Sequence, residues 1–164
     1  MDLEAALRKV TLLIMDCDGV LTDGRLYYGP TGEELKTFDV RDGYGLVRWR
    51  EAGFRSAIIS GRDSPIVEMR FAGLGVEFIL QGHQEKGRVF EQLLAEAGVH
   101  ASESIYVGDD VPDTDPMRKA GVAVAVADAH PAARSAAHLI TKAPGGRGAI
   151  REVIDLILSA KGAA

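Results

Sequence analysis

The sequence predicts an α/β fold: a doubly wound parallel sheet with a β-hairpin inserted after its first strand. Three observations carry this. Five short runs are apolar on both faces, as strands buried in a parallel sheet are. Amphipathic stretches alternate with those runs, the pattern of strand–helix–strand units with right-handed crossovers. Four of the amphipathic stretches are followed by glycine, the residue favoured just past a helix C-terminus.

In chain order, the apolar runs are residues 11–16 (TLLIMD), 55–60 (RSAIIS), 76–80 (VEFIL), 104–107 (SIYV) and 122–126 (VAVAV). The first ends abruptly in acid. Residues 25–40 (RLYYGPTGEELKTFDV) interrupt the alternation. Two β-prone pieces there flank Gly29-Pro30-Thr31-Gly32, which reads as a hairpin. Helices are expected over residues 45–52, 65–72, 86–97 and 112–120, followed by Gly53, Gly73, Gly98 and Gly121. A last helix, 149–158, places Ile150, Val153, Ile154, Ile157 and Leu158 on one face. No linker, repeat or second domain is visible. The expectation is one domain over residues 1–164, with the hairpin at about 25–40 and a C-terminal tail from about 143.

Composition narrows the class. The 164 residues are 46% hydrophobic and 26% charged, which excludes a disordered chain. A net charge of −5 argues against broad nucleic-acid binding, which needs clustered cation. Cys17 is the one cysteine, so no disulfide can form within the chain, and a cytoplasmic protein is expected. The opening Met1-Asp2-Leu3-Glu4 is too acidic for a signal sequence. No run approaches the ~20 apolar residues of a membrane span. Asparagine is absent, so there is no N-glycosylation site.

Ligands of open α/β sheets bind beyond the carboxyl ends of the strands. The first strand ends in Asp16-Cys17-Asp18-Gly19 and the second in Ser60-Gly61-Arg62. The third leads through Gln81-Gly82 to Lys86, and the fourth ends in Gly108-Asp109-Asp110, with Asp113 following. A lone strand-end aspartate commonly just caps the next helix. Carboxylates from several strand ends in one place repel and lose solvation, and a hard cation such as Mg²⁺ relieves both. Acids, one lysine and one hydroxyl, without a Cys–His or Ser–His pair, suit phosphoryl transfer. One aspartate attacks phosphorus, a second carboxyl serves as acid and then base, and cations and N–H groups hold the equatorial oxygens. Asp16 and Asp18, two apart where a strand is ending, can both lie near one phosphate.

These residues resemble the haloacid dehalogenase superfamily in its phosphatase branch. The first motif stands as Asp16-Cys17-Asp18-Gly19-Val20-Leu21-Thr22-Asp23, the second as Ser60, the third as Lys86, and the fourth as Gly108-Asp109-Asp110 with Asp113. The resemblance covers nearly the whole chain and implies a Rossmann-like sheet. It implies Asp16 as nucleophile, Asp18 as acid/base, and Ser60 and Lys86 as phosphate holders. Mg²⁺ would sit on the Asp16 carboxylate, the Asp18 carbonyl and the Asp109 carboxylate, with Asp110 and Asp113 in support.

Further stretches are similar to the cap-less 3-deoxy-D-manno-octulosonate 8-phosphate phosphatases. These are Leu21-Thr22-Asp23-Gly24, Phe38-Asp39-Val40-Arg41-Asp42-Gly43-Tyr44-Gly45, Ile59-Ser60-Gly61-Arg62, and Gly145-Gly146-Arg147-Gly148-Ala149-Ile150-Arg151-Glu152. That resemblance implies that Asp39, Val40, Arg41, Asp42, Gly43, Gly61, Arg62 and Arg70 contact the sugar acid, beside Asp18 and Lys86. It implies a homotetramer in which the hairpin helps a neighbouring subunit cover the site in place of a cap. It also implies a role in lipopolysaccharide biosynthesis. A nine-carbon nonulosonate 9-phosphate is the rival substrate. From other classes, a phospho-receiver domain or a non-catalytic oligomerising homologue uses similar residues. A receiver, however, carries its phosphorylated aspartate after the third strand, where this chain has Gln81-Gly82.

Other residues read more plainly. Among the four histidines only His83 lies near a motif. Cys17, between two aspartates, is a poor thiolate. The Gly145–Gly148 stretch lacks the Gly-Lys-Ser/Thr of a phosphate loop, which leaves a flexible tail or an intersubunit element. Trp49 is expected in the core or at a subunit interface.

Overall fold

A computed structural model describes residues 2–163, with only the backbone of Glu33 and Glu34. Helix α1 (Leu3–Lys9) precedes strand β1 (Leu12–Met15), every residue of which is buried. The hairpin follows: β2 (Tyr27–Gly29) pairs antiparallel with β3 (Gly32–Leu35) around Pro30-Thr31. Then come α2 (Val40–Glu51), β4 (Arg55–Ile59), α3 (Pro65–Gly73), β5 (Phe78–Leu80), α4 (Lys86–Ala97) and β6 (Ser104–Gly108). The remainder is α5 (Thr114–Lys119), β7 (Val122–Ala125), α6 (Pro131–Ala136), β8 (Leu139–Ile140) and α7 (Ala149–Ala160).

Six strands form one parallel sheet in the order β5-β4-β1-β6-β7-β8. The order reverses beside β1: the chain moves outward to β4 and β5, then returns to β6 on the other flank. That switch point opens a crevice at the carboxyl ends of β1, β4 and β6. α2 packs on α7, which also meets α1, while α4, α5 and α6 pack in series. The core between them is apolar, from Leu12, Ile14 and Ile58 to Trp49, Phe71 and Phe90. Trp49 is fully buried, and its indole N–H donates to the Arg55 carbonyl at 2.7 Å.

Three sequence expectations need correction. α2 starts at Val40 rather than residue 45, because Asp39 caps it: Asp39 Oδ1 accepts from the Arg41 N–H at 2.8 Å. Residues 40–44 are therefore helix, not loop. Gly73 is the last residue of α3, and the left-handed turn after that helix falls on Gly75 (φ +79°). Gly121 also lacks a left-handed φ; a side chain there would collide with the Ser102 backbone. The pattern also passed over α1, α6 and β8, all too short to show a period.

Candidate active site

The catalytic-type motif after β1 is held mainly by its own groups. Asp16 extends the strand, its N–H donating to the Val107 carbonyl at 3.0 Å. The Cys17 carbonyl then accepts from the N–H groups of Val20, Leu21 and Thr22. Thr22 Oγ1 accepts from Gly19 and Gly24 at 3.2 and 3.1 Å, and Leu21 is buried as an anchor. Gly19 has φ +94°, and a Cβ there would stand 2.0 Å from Asp109 Oδ2. Only glycine lets this loop pass so close to the acid of another strand.

The loop is also braced from the far end of the chain. Gly146 N–H donates to the Val20 carbonyl at 2.8 Å, and a Cβ on Gly145 would stand 1.7 Å from the Gly19 carbonyl oxygen. The glycine-rich stretch is thus a close-fitting brace under its own chain's catalytic loop.

Asp16, Asp18, Ser60, Gly61, Arg62, Lys86, Asp109, Asp110 and Asp113 line one crevice of about 250 Å³, together with His83, Gln84 and Pro112. At its floor, Lys86, the first residue of α4, lies 2.7 Å from Asp16 Oδ1 and 2.8 Å from Asp113 Oδ1. Asp113 is fully committed. Its Oδ1 also accepts from the Tyr106 hydroxyl, and its Oδ2 accepts from the N–H groups of Asp109 and Asp110 at 3.1 and 3.2 Å. It positions Lys86 and the Asp109 loop. Ser60 is buried at the end of β4, its Oγ accepting from Arg62 N–H at 3.3 Å.

The electrostatics ask for a cation. Burial, then the charge of Asp113, raises Asp16 to about 6 against the pull of Lys86. Burial, then the nearby Asp16 and Asp113, raises Asp109 to about 9. Burial alone would lower the Lys86 ammonium, but Asp16 and Asp113 outweigh it and hold it raised. Carboxylate oxygens of Asp16, Asp109 and Asp113 lie within 4.8 Å of one another. Asp109 Oδ1 is buried without a hydrogen-bond partner among the described residues. A free acceptor beside a second carboxylate, with the third acid already occupied, fits a hard divalent ion. Cys17 is no rival nucleophile: burial, then its flanking carboxylates, pushes the thiol far up.

The remaining candidates lie elsewhere. Asp39 pairs with Arg41 at 2.7 Å, Arg41 also reaches the Arg147 carbonyl, and Val40 is exposed. Gly43 lies against the Arg70 guanidinium. Asp42 is buried, and its two oxygens accept from Gly148 and Arg151 N–H, tying α2 to the start of α7. Two residues near the crevice carried no role in the sequence alone: Gln84, whose amide donates to the Gly61 carbonyl at 2.7 Å, and Lys36, whose ammonium meets Asp18. Gln84 sits between Gly82 and Lys86, a segment obliged to cross the crevice. No local signal marks Lys36.

A family model described as haloacid dehalogenase-like hydrolase matches residues 64–154. The 3-deoxy-D-manno-octulosonate 8-phosphate phosphatase of Escherichia coli K12 is 47% identical over 161 residues, 98% of this chain and 86% of that one. The chain belongs to this family of haloacid dehalogenase-like hydrolases. Solved relatives agree. The phosphatase of that name from Moraxella catarrhalis, in complex with magnesium ion, phosphate ion and KDO, superposes with a TM-score of 0.95 at 37% identity, covering 98% of this chain and 92% of its own. The cobalt-bound Haemophilus influenzae phosphatase gives 0.93 at 41%, covering 96% and 92%. The acid pair Asp16 and Asp18 follows central β1, and β5 runs into Gln81 where a receiver would place its aspartate.

Proposed function

We propose that this chain, acting as a single phosphatase domain, is a Mg²⁺-dependent hydrolase of 3-deoxy-D-manno-octulosonate 8-phosphate, releasing the sugar acid and phosphate. The observation that carries this is the Asp16–Lys86–Asp113 floor, 2.7 and 2.8 Å across, beside an Asp109 oxygen with no hydrogen-bond partner among the described residues. Lys86, the Ser60 hydroxyl and the Gly61 N–H hold the phosphate oxygens. Asp16 attacks phosphorus as the ester P–O bond breaks, and Asp18 gives its proton to the departing alkoxide. Water then attacks the aspartyl phosphate, Asp18 takes its proton, and the Asp16 carboxylate is regenerated. Asp16, Asp109 and the Asp18 carbonyl would hold Mg²⁺, which when bound neutralises the charge of nucleophile and phosphate. Arg62, at the crevice edge, suits the sugar carboxylate.

Phosphate release from the eight-carbon 8-phosphate, a nonulosonate 9-phosphate and p-nitrophenyl phosphate tests the reading. The expected kcat/KM is at least about tenfold higher for the first, the discrimination of roughly 1.4 kcal/mol that a few sugar contacts supply. Equal values for all three would overturn the substrate assignment.

A second check needs no turnover. Asp16 and Asp109 titrate above their unfolded values, so the folded metal-free chain holds more protons than the unfolded one from about pH 4 upward. Stability therefore falls as pH rises through about 6 and towards 9. Mg²⁺ displaces those protons. The expected gain in Tm on adding Mg²⁺ is larger at pH 8.5 than at pH 5.5, and a gain that shrinks with pH would contradict the site.

A homotetramer built on the hairpin fits its surface: Leu26, Tyr27, Tyr28 and Leu35 are exposed apolar side chains on one small element. A cytoplasmic place, in lipopolysaccharide biosynthesis, agrees with the single buried thiol and the acidic composition. No described helix is long and apolar enough to cross a membrane.

A further inference from the structure

We propose that Lys36 is a positioning residue that aims the Asp18 carboxylate. Lys36 follows β3 directly, and its side chain is 1% exposed although it leaves a largely exposed hairpin. Its ammonium lies 2.5 Å from Asp18 Oδ1. On the other side, Arg62 Nε lies 3.7 Å from Asp18 Oδ2, and Arg62 in turn donates to the Tyr28 hydroxyl at 2.6 Å. Lys36, just past β3, thus meets the carboxylate directly, and Tyr28 of β2 meets it through Arg62. Burying an ammonium is costly unless it is paired, so an apolar side chain would anchor the hairpin more simply. What a lysine adds is a directed, charge-assisted bond that fixes one oxygen and leaves the other for the crevice. A proton donor displaced by about 1 Å loses on the order of 10²-fold in rate.

This rests on the phosphatase reading, and the leaving group separates the two. The kcat/KM for a phosphomonoester reports the steps up to release of the alcohol. An alkoxide needs the Asp18 proton to leave, whereas p-nitrophenolate does not. Lys36→Met is expected to lose about 100-fold in kcat/KM on the sugar-acid phosphate and on glycerol 3-phosphate, but under about threefold on p-nitrophenyl phosphate. Lys36→Arg, which keeps the charged donor, recovers part of the loss. In crystals of Lys36→Met, the Asp18 carboxylate leaves its present place. Equal losses on all three esters, or an unmoved Asp18, would overturn the proposal and leave Lys36 a hairpin anchor. If the wild type cleaves neither alkyl ester, the phosphatase reading fails, and the position of Asp18 in the variant decides for Lys36.

Discussion

Asp16→Asn is expected to lower turnover by at least about 10⁴-fold, the order seen when a covalent nucleophile is removed. The amide matches the carboxylate in size, and its oxygen can still accept from Lys86, so the crevice keeps its form. What it lacks is the charge and lone pair that form the acyl phosphate. Beryllium or aluminium fluoride should trap at residue 16 in the wild type and not in the variant. Stability is expected to move the other way. With Asp16 at about 6, its ionised form burdens the metal-free fold above that pH, and Asn carries no such burden. Lys86 retains Asp113 at 2.8 Å. The metal-free variant should therefore melt at or above the wild type at pH 8, and the difference should shrink towards pH 5. Near-wild-type turnover, or fluoride trapping in the variant, would remove Asp16 from the role.

The acids were legible because their positions follow from the sheet alone. Once residues 11–16 form a buried strand, the side chains just past its end must stand at the switch point, and so must those after β4 and β6. Longer-range contacts left no such mark. Gly43 and Gly45 are weak helix formers, each costing a helix about 1 kcal/mol, and the expected helix begins only at Gly45. In α2 they allow close approach instead: a Cβ on Gly45 would lie 3.1–3.3 Å from Arg151 and Ile154 of α7. That packing, with the Asp39 cap, outweighs propensity and moves the helix start to Val40. Asp42 stood only among the sugar-acid contacts that the resemblance implies; its hydrogen-bond partners, the N–H groups of Gly148 and Arg151, are over a hundred residues away and left no local mark. Lys36 depends on the hairpin folding back over Asp18, which no period in residues 25–40 encodes.

Gly145→Ala tests the least legible of these contacts. A methyl group there meets the Gly19 carbonyl oxygen at 1.7 Å and the Thr22 carbonyl oxygen at 3.2 Å, both backbone atoms of the catalytic loop. No rotamer can relieve the clash, so either the loop or residues 143–148 must shift. Forced overpacking of this kind costs about 3 kcal/mol. For a chain of this size that is a fall of roughly 6–12 °C in Tm. Asp18 and Gly19 are neighbours on the displaced loop, and a shift of about 1 Å there costs on the order of 10²-fold in kcat. Gly73→Ala is the matched control. Gly73 is a helical residue without a left-handed φ, and a methyl group on it would meet nothing within 4 Å, so alanine is neutral or stabilising by up to about 1 kcal/mol. If the two alanine variants melted and turned over alike, the glycine-rich stretch would be a passive connector and the brace beneath the Asp16–Asp23 loop would have no consequence.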